Sequence, residues 1–324
     1  MKNESRNSSR VKLGRVFQVV SPMLSFIDYP FRKMKNEANE NVPAIFIVAP
    51  PRSGSTITYQ LVAHCIENFH LTNIWNLLYS TPVLGSVISE KICKHKTASY
   101  TSKHGFVPGL CGEAEGLRFW EYWTGQGLEQ KPQHWKQRKT SKLSKLIGKL
   151  YNTYEKPFLS GYLAHAFCIK LLRQHFPGAI FLHVTRDLLS NAYSIYKVAP
   201  SQWFSLLPKR CHQNTKSRYR QIVQQIIEVH AAILEVYSDD VLNIRYESLC
   251  EDPSGTLDKI IEHAGKNNIT LEKIAEPPDQ FDMSRIDPNL NDHTVEISRE
   301  LEHKLNELEH KDKVFFNSLM ETKA

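Results

Sequence analysis

The sequence predicts an α/β fold in which helices flank a parallel sheet. Short, nearly continuous apolar runs stand at Val42–Ala49 (VPAIFIVA), Ala179–Thr185 (AIFLHVT) and Val241–Tyr246 (VLNIRY). Such runs fit strands that are buried on both faces. Helical patterns separate and follow them, and that alternation builds parallel sheets. Turn residues bound the runs, with Pro50-Pro51 after the first and Pro177-Gly178 before the second.

The first strand leads into a helix over about Thr56 to Asn68, with Ile57, Leu61, Cys65 and Ile66 on one face. The second leads through Arg186-Asp187 into a helix over Leu188–Lys197. A long amphipathic helix, about Lys216–Tyr237, precedes the third. The helix after the third is signalled by Asp252-Pro253, with Pro at the first helical position. The stretch between Trp75 and Gln174 reads as helix and loop, a mostly helical insertion. Its aromatic cluster Phe119, Trp120, Tyr122 and Trp123 reads as core, with stacking on a sugar ring as the alternative. Glu276–Asn291, rich in Pro, Asp and Asn, reads as a loop, and Thr294–His310 as a helix with a charged, solvated face. The domain reading is a basic segment over 1–40 followed by a single domain over 41–324, with the insertion at about 75–174.

With 324 residues, 41% hydrophobic and 23% charged, the chain can bury a large core, which excludes a disordered, collagen-like or disulfide-scaffold protein. The 41 Lys+Arg against 34 Asp+Glu give a net charge of +7. Dispersed as it is, this charge suits an anionic ligand or a membrane surface and does not by itself indicate nucleic acid. The six cysteines (Cys65, Cys93, Cys111, Cys168, Cys211 and Cys250) form no C-x-x-C and read as reduced thiols of a cytoplasmic protein. No His/Cys spacing suggests a metal. Val11–Ile27 is mildly apolar, but Lys12, Arg15, Gln18 and Pro22 interrupt it, so it reads as neither a span nor a signal peptide. Two readings stand for the N-terminal segment: a basic amphipathic stretch, Lys12 through Lys35, lying on a membrane, or a tail with a short helix packed on the domain.

Pro50-Pro51-Arg52-Ser53-Gly54-Ser55-Thr56 joins the first strand to its helix, the position where an α/β sheet binds phosphate. Successive backbone N–H groups, a helix N-terminus and Ser/Thr hydroxyls would supply donors there. Gly54 permits the turn, and Arg52 adds a fixed charge with a fork that matches phosphate oxygens. The same residues could serve as ordinary helix caps. The loop is P-loop-like without matching G-x-x-x-x-G-K-[ST], which argues against an ordinary ATPase or kinase.

The segment FIVAPPRSGST resembles the 5′-phosphosulfate loop of sulfotransferases that use 3′-phosphoadenosine 5′-phosphosulfate (PAPS). FLHVTRDLLSNAYSIYK resembles that family's 3′-phosphate segment, with Arg186 and Ser194 at the clamping positions. RYESLCEDPSGTLDKIIEHAG is similar to the strand-loop-helix that closes the family's core. The resemblance spans about residues 42 to 265. With Arg in the first loop it leans towards the carbohydrate and tyrosyl-protein branches and their bacterial relatives.

The resemblance implies transfer of a sulfuryl group from PAPS to a hydroxyl or amine, the acceptor being a glycan, lipid or small molecule. Arg52, Ser53, Gly54, Ser55 and Thr56 would hold the 5′-phosphosulfate, Arg186 and Ser194 the 3′-phosphate, and no metal is implied. A general base is required, and the candidates in order are His104 in KHGFVPG, Glu115 and Glu113 in GEAEGLRFWEYW, then Glu67 near His70. The insertion would line the acceptor side. The alternative is a P-loop kinase or nucleotide hydrolase with Asp187 as a magnesium ligand, and a third reading is a membrane-peripheral scaffold on a relic fold. The expected setting is cytoplasmic, with a peripheral membrane contact through the N-terminal segment and no nucleic-acid partner.

Overall fold

The computed structural model describes residues 21–33, 41–93, 98–102, 105–125, 127, 136–202, 217–287 and 291–320. Five parallel strands form one sheet in the order β2-β3-β1-β4-β5: β1 Ala44–Val48, β2 Phe69–His70, β3 Phe158–Ser160, β4 Ala179–Thr185 and β5 Val241–Arg245. The three strands predicted from apolar runs are β1, β4 and β5; β4 has the predicted bounds, while β1 and β5 are shortened by a residue or two at the ends. β3 corrects the reading of 75–174 as helix and loop, pairing with β1 from Ala44↔Phe158 to Phe46↔Ser160, and β2, which lies before that stretch and pairs with β3, has no counterpart in the sequence reading. At two and three residues they are too short to show a period.

The sheet is covered on both faces, as predicted. Ala44, Phe46 and Val48 point to one core with Trp120, Phe158 and Phe181. Ile45 and Ile47 point to the other with Leu61, Leu182 and Leu257. Period two along β1 therefore sorts its side chains between two layers. Phe119, Trp120 and Trp123 are buried in the first layer, so the aromatic cluster belongs to the core.

The helices are α1 Tyr29–Lys33, α2 Ser55–Cys65, α3 Asn73–Leu77, α4 Pro82–Cys93, α5 Leu117–Thr124, α6 Gln137–Tyr154 and α7 Ile169–His175. They continue with α8 Leu188–Gln202, α9 Arg218–Leu234, α10 Tyr246–Glu251, α11 Pro253–Lys266, α12 Asp292–Asn306 and α13 His310–Met320. The α2 helix stops short of the predicted Asn68 because the Asn68 amide donates to the carbonyls of Val62, Ala63 and Ile66 and turns the chain into β2. Asp252 caps α11 by accepting from the Gly255 N–H, with Pro253 at the first position. The predicted helix Thr294–His310 is instead α12, ending at Asn306 and followed by α13. Ile297, Leu301 and Leu305 bury one side of α12, while the exposed pair Arg299–Glu296 lies on the solvated side.

Cys93 and Cys111 form a disulfide across 18 residues. This corrects the reading of six reduced thiols and removes that support for a cytoplasmic setting. The bridge joins the end of α4 to the loop before α5, a proximity that sequence spacing does not disclose. Cys65, Cys168 and Cys250 are buried and outside any disulfide, and Cys211 lies outside the described residues. Among the described residues no helix is long and apolar enough to cross a membrane.

Candidate functional site: a cleft at the carboxyl edge of the sheet

From β1 the chain passes to β2 on one side, and from β4 to β5 on the other. The loops leaving β1 and β4 therefore diverge, and the crevice between them is the position where open α/β sheets bind ligands. A cleft of about 430 Å³ opens there, lined by Arg52, Gly54, Ser55 and Thr56 from the first loop and by Arg186 and Tyr246 from the strand ends. Gln60, Asn73, Asn76, Tyr100, Gly105, Phe106, Glu113, Glu115 and Leu117 line its other side.

The first loop is shaped for close approach. Arg52 and Gly54 both have positive φ, at 65° and 101°. For Arg52 this is a sparsely populated conformation of the kind that clusters at ligand sites. The Ser53 hydroxyl donates to the Pro50 carbonyl at 2.9 Å, and the Asn191 amide donates to the Pro51 carbonyl at 2.7 Å, fixing the turn from within and from α8. Gly54 occupies the cap position of α2 without a side-chain bond, so the free N–H groups of the first helical turn border the cleft. A Cβ on Gly54 would stand 2.4 Å from the Tyr246 ring. Glycine is required there for both space and backbone angle.

The structure brings Arg52, Arg186 and Ser194 together. Arg52 Nε donates to the Ser194 hydroxyl at 3.2 Å, and Arg186 donates to the Arg52 carbonyl at 3.0 Å and to the Ser284 carbonyl. The guanidinium of Arg186 lies over the Tyr246 ring at 4.5 Å. Its buried Nε has no partner among the described residues, a donor that an anion would satisfy. Burial, and next the proximity of Arg186, lowers the Arg52 pKa from its ordinary range. Two cations held this close favour an anionic ligand between them.

The base candidates separate. Glu115 lines the cleft, and burial pushes its carboxyl up to about 7 against the opposing pull of Arg52. Gly105, with φ of 90°, sits where a Cβ would lie 3.5 Å from Thr56 Oγ1 and 3.8 Å from Glu115 Oε1, so both oxygens face one small space. Glu113 also lines the cleft, but its carboxylate is engaged by His64 Nε2 at 2.8 Å and by the Gln60 amide at 3.3 Å. Glu67 is not among the lining residues and pairs with Lys156 at 3.1 Å. His104 lies outside the described residues. Asp187, the magnesium ligand of the kinase alternative, accepts from the Ser190 N–H at 2.7 Å and so serves as a cap for α8.

A family model described as the sulfotransferase family matches residues 43–267, which contain both loops, both arginines and Glu115. The chain belongs to the sulfotransferase family. Members of the family use PAPS as co-substrate, and the enzyme is accordingly a PAPS-dependent transferase on a P-loop-like fold. Sulfotransferase STF9 from Mycobacterium avium is similar at 14% identity over 88% of this chain and 72% of that one, with a TM-score of 0.51. Sulfotransferase STF1 from Mycobacterium tuberculosis H37Rv is 13% identical over 97% of this chain and 85% of that one, TM-score 0.45. A sulfotransferase domain from the curacin biosynthetic pathway is 15% identical over 86% and 98%, TM-score 0.41. No curated protein matches the chain.

Within this sulfotransferase, sequence reasoning found the loop and the two arginines but assigned no role to Tyr246, Gly105 or Asn191. Tyr246 stood in a quoted motif, RYESL, without a function. Its signal is visible only once the ring is seen against Gly54 and Arg186. Ser194, expected beside the same anion as Arg186, bonds Arg52.

Proposed function

We propose that the cleft transfers the sulfuryl group of PAPS to a hydroxyl of a glycan or glycolipid, with Glu115 as general base. The observation that carries this reading is the convergence of Arg52, Arg186 and Ser194 with a near-neutral carboxyl in one cleft. PAPS, when bound, supplies an activated sulfuryl group on a nucleotide leaving group. The first loop fits its 5′ end through Ser53, Gly54, Ser55 and Thr56. Arg186, with its unpartnered Nε, and Ser194 fit the 3′-phosphate.

Arg52 is the charged side chain of the loop itself and would compensate negative charge as it develops, which is where electrostatic catalysis acts. Glu115 Oε1 faces the same space as Thr56 Oγ1 and would take the acceptor proton. A carboxyl at about 7 is partly ionised at neutral pH and holds a proton well enough to drive the transfer. Glu113, held by His64 and Gln60, would act on the acceptor-side wall, and Glu67 would act structurally through Lys156. His104 keeps its place as the base expected from sequence, to be tested beside Glu115. The glycan reading is supported by the buried Asn76 Oδ1 in the cleft, which has no partner among the described residues and would accept from a sugar hydroxyl.

The test is calorimetry with 3′-phosphoadenosine 5′-phosphate (PAP) and AMP, then transfer from labelled PAPS to glycan and glycolipid extracts. PAP should bind tighter than AMP. Glu115→Gln should bind PAP normally and lose turnover, and wild-type activity should rise with pH through about 7, because the ionised form is the working one. Equal affinity for PAP and AMP, or a Glu115→Gln enzyme of normal turnover whose His104→Ala counterpart is dead, would overturn the respective assignments.

A further inference from the structure

Residues 21–33 lie on the domain with their polarity reversed. Ser21 and Asp28 are buried, while Met23 and Phe26 are 70% and 69% exposed and Tyr29 is 53% exposed. The buried polar groups are used. Asp28 accepts from the N–H groups of Val83 and Leu84 at 3.0 and 3.2 Å, capping α4, and the Ser21 hydroxyl meets that of Ser80 at 3.1 Å. Phe31 packs against the core beside them, and Lys149 donates to its carbonyl at 3.2 Å. The segment is thus fastened through its polar groups in a way that turns Met23, Phe26, Ile27 and Tyr29 outward. A short peptide folding for its own stability would do the opposite.

The lysine that holds Phe31 belongs to a basic stripe. Arg138, Lys142, Lys145 and Lys149 are spaced 4, 3 and 4 along α6 and share one face. The first three are exposed, and Gln137–Tyr154 contains no Asp, while Glu is absent from it as well. In the sequence, seven Lys and Arg fall between Ser5 and Asn36, with the buried Asp28 as the only acid. Exposed apolar anchors next to an acid-free basic face are the pattern of a protein that lies on an anionic bilayer. A nucleic acid would use the charge but give Met23 and Phe26 nothing to bury.

We infer that residues 21–33 and the basic face of α6 together form a docking surface for an anionic lipid membrane. The apolar knuckle enters the interface, and the stripe meets the headgroups. The surface is independent of the transfer reaction, since none of these residues lines the cleft.

The test is co-sedimentation of the full chain with vesicles of phosphatidylcholine alone or mixed with phosphatidylglycerol, at low and high salt. Binding should require phosphatidylglycerol and fall with salt. Lys142→Gln with Lys145→Gln should weaken it about 30-fold, at roughly fivefold for each charge near the surface. Met23→Ser with Phe26→Ser should weaken it at every salt concentration. Melting temperature and PAP affinity should stay unchanged in both double variants, which separates this surface from the catalytic reading. Equal binding to both vesicle types, no binding, or wild-type binding by both variants would overturn the proposal. So would a concentration-dependent dimer that Phe26→Ser dissociates while no vesicle binds, which would make the face a self-association surface.

Discussion

Replacing Gly54 by alanine tests whether the first loop is a ligand cradle or only a turn. The residue has φ of 101°, where an L side chain costs about 1–2 kcal/mol. The new Cβ would lie 2.4 Å from Tyr246 Cδ2 and 3.1 Å from its Cγ, so the ring must move. Overpacking of this kind costs about 1–3 kcal/mol, which brings the expected destabilisation to about 2–5 kcal/mol in urea unfolding. The ring carries the Arg186 guanidinium at 4.5 Å and has little room, being 8% exposed. Its displacement therefore moves a charge that the 3′-phosphate would meet. Loss of that charge-assisted bond corresponds to about 1.5–3 kcal/mol, or a 10- to 150-fold weaker affinity for PAP. Calorimetry on protein kept well below its melting temperature separates the two effects. A Gly54→Ala protein that is destabilised yet binds PAP with wild-type affinity would refute the coupling of Gly54 to Arg186 through Tyr246.

Other outcomes follow from the same geometry. Arg52→Ala should lower turnover more than PAP affinity, measured by single-turnover transfer and calorimetry, because its charge matters most as the leaving group departs. Acid should destabilise the fold through three histidines: burial takes His165 and His183 down to about 3 and His230 well below its ordinary 6.5. Only the unfolded chain protonates them as pH falls below 6.5, so stability is full above that pH and declines by up to about 4 kcal/mol per unit towards pH 4, checked by urea unfolding across the range. Reducing the Cys93–Cys111 bridge should cost about 3 kcal/mol, as expected for a loop of this length. It should also leave PAP affinity intact, since the bridge fastens the wall carrying Tyr100 and Gly105 and not the first loop.

What the sequence disclosed and what it withheld divide along a physical line. Strands β1 and β4 were legible because every residue in them is buried, so AIFIV and AIFLHVT stand out as short apolar runs; the edge strand β5, with Asn243 exposed, was legible from the run VLNIRY between two helical patterns. The loop after β1 was legible because phosphate chemistry demands particular residues at adjacent positions. β2 and β3 were not, since a strand of two or three residues is defined by its partner's hydrogen bonds and leaves no period of its own. The disulfide and the proposed base, Glu115, share this property. Cys93 meets Cys111, and Glu115 faces Thr56 across Gly105, only once segments apart in sequence are brought together in the fold. Local chemistry therefore reveals the half of the site proposed to hold the nucleotide, where the family's co-substrate is constant and the expected contacts are consecutive. The opposite wall of the cleft, proposed to receive the acceptor, is assembled from separate segments, with Gln60, Asn76, Gly105 and Glu115 drawn from four of them. A change of acceptor can then be made by altering those segments while β1, its loop and Arg186 stay as they are.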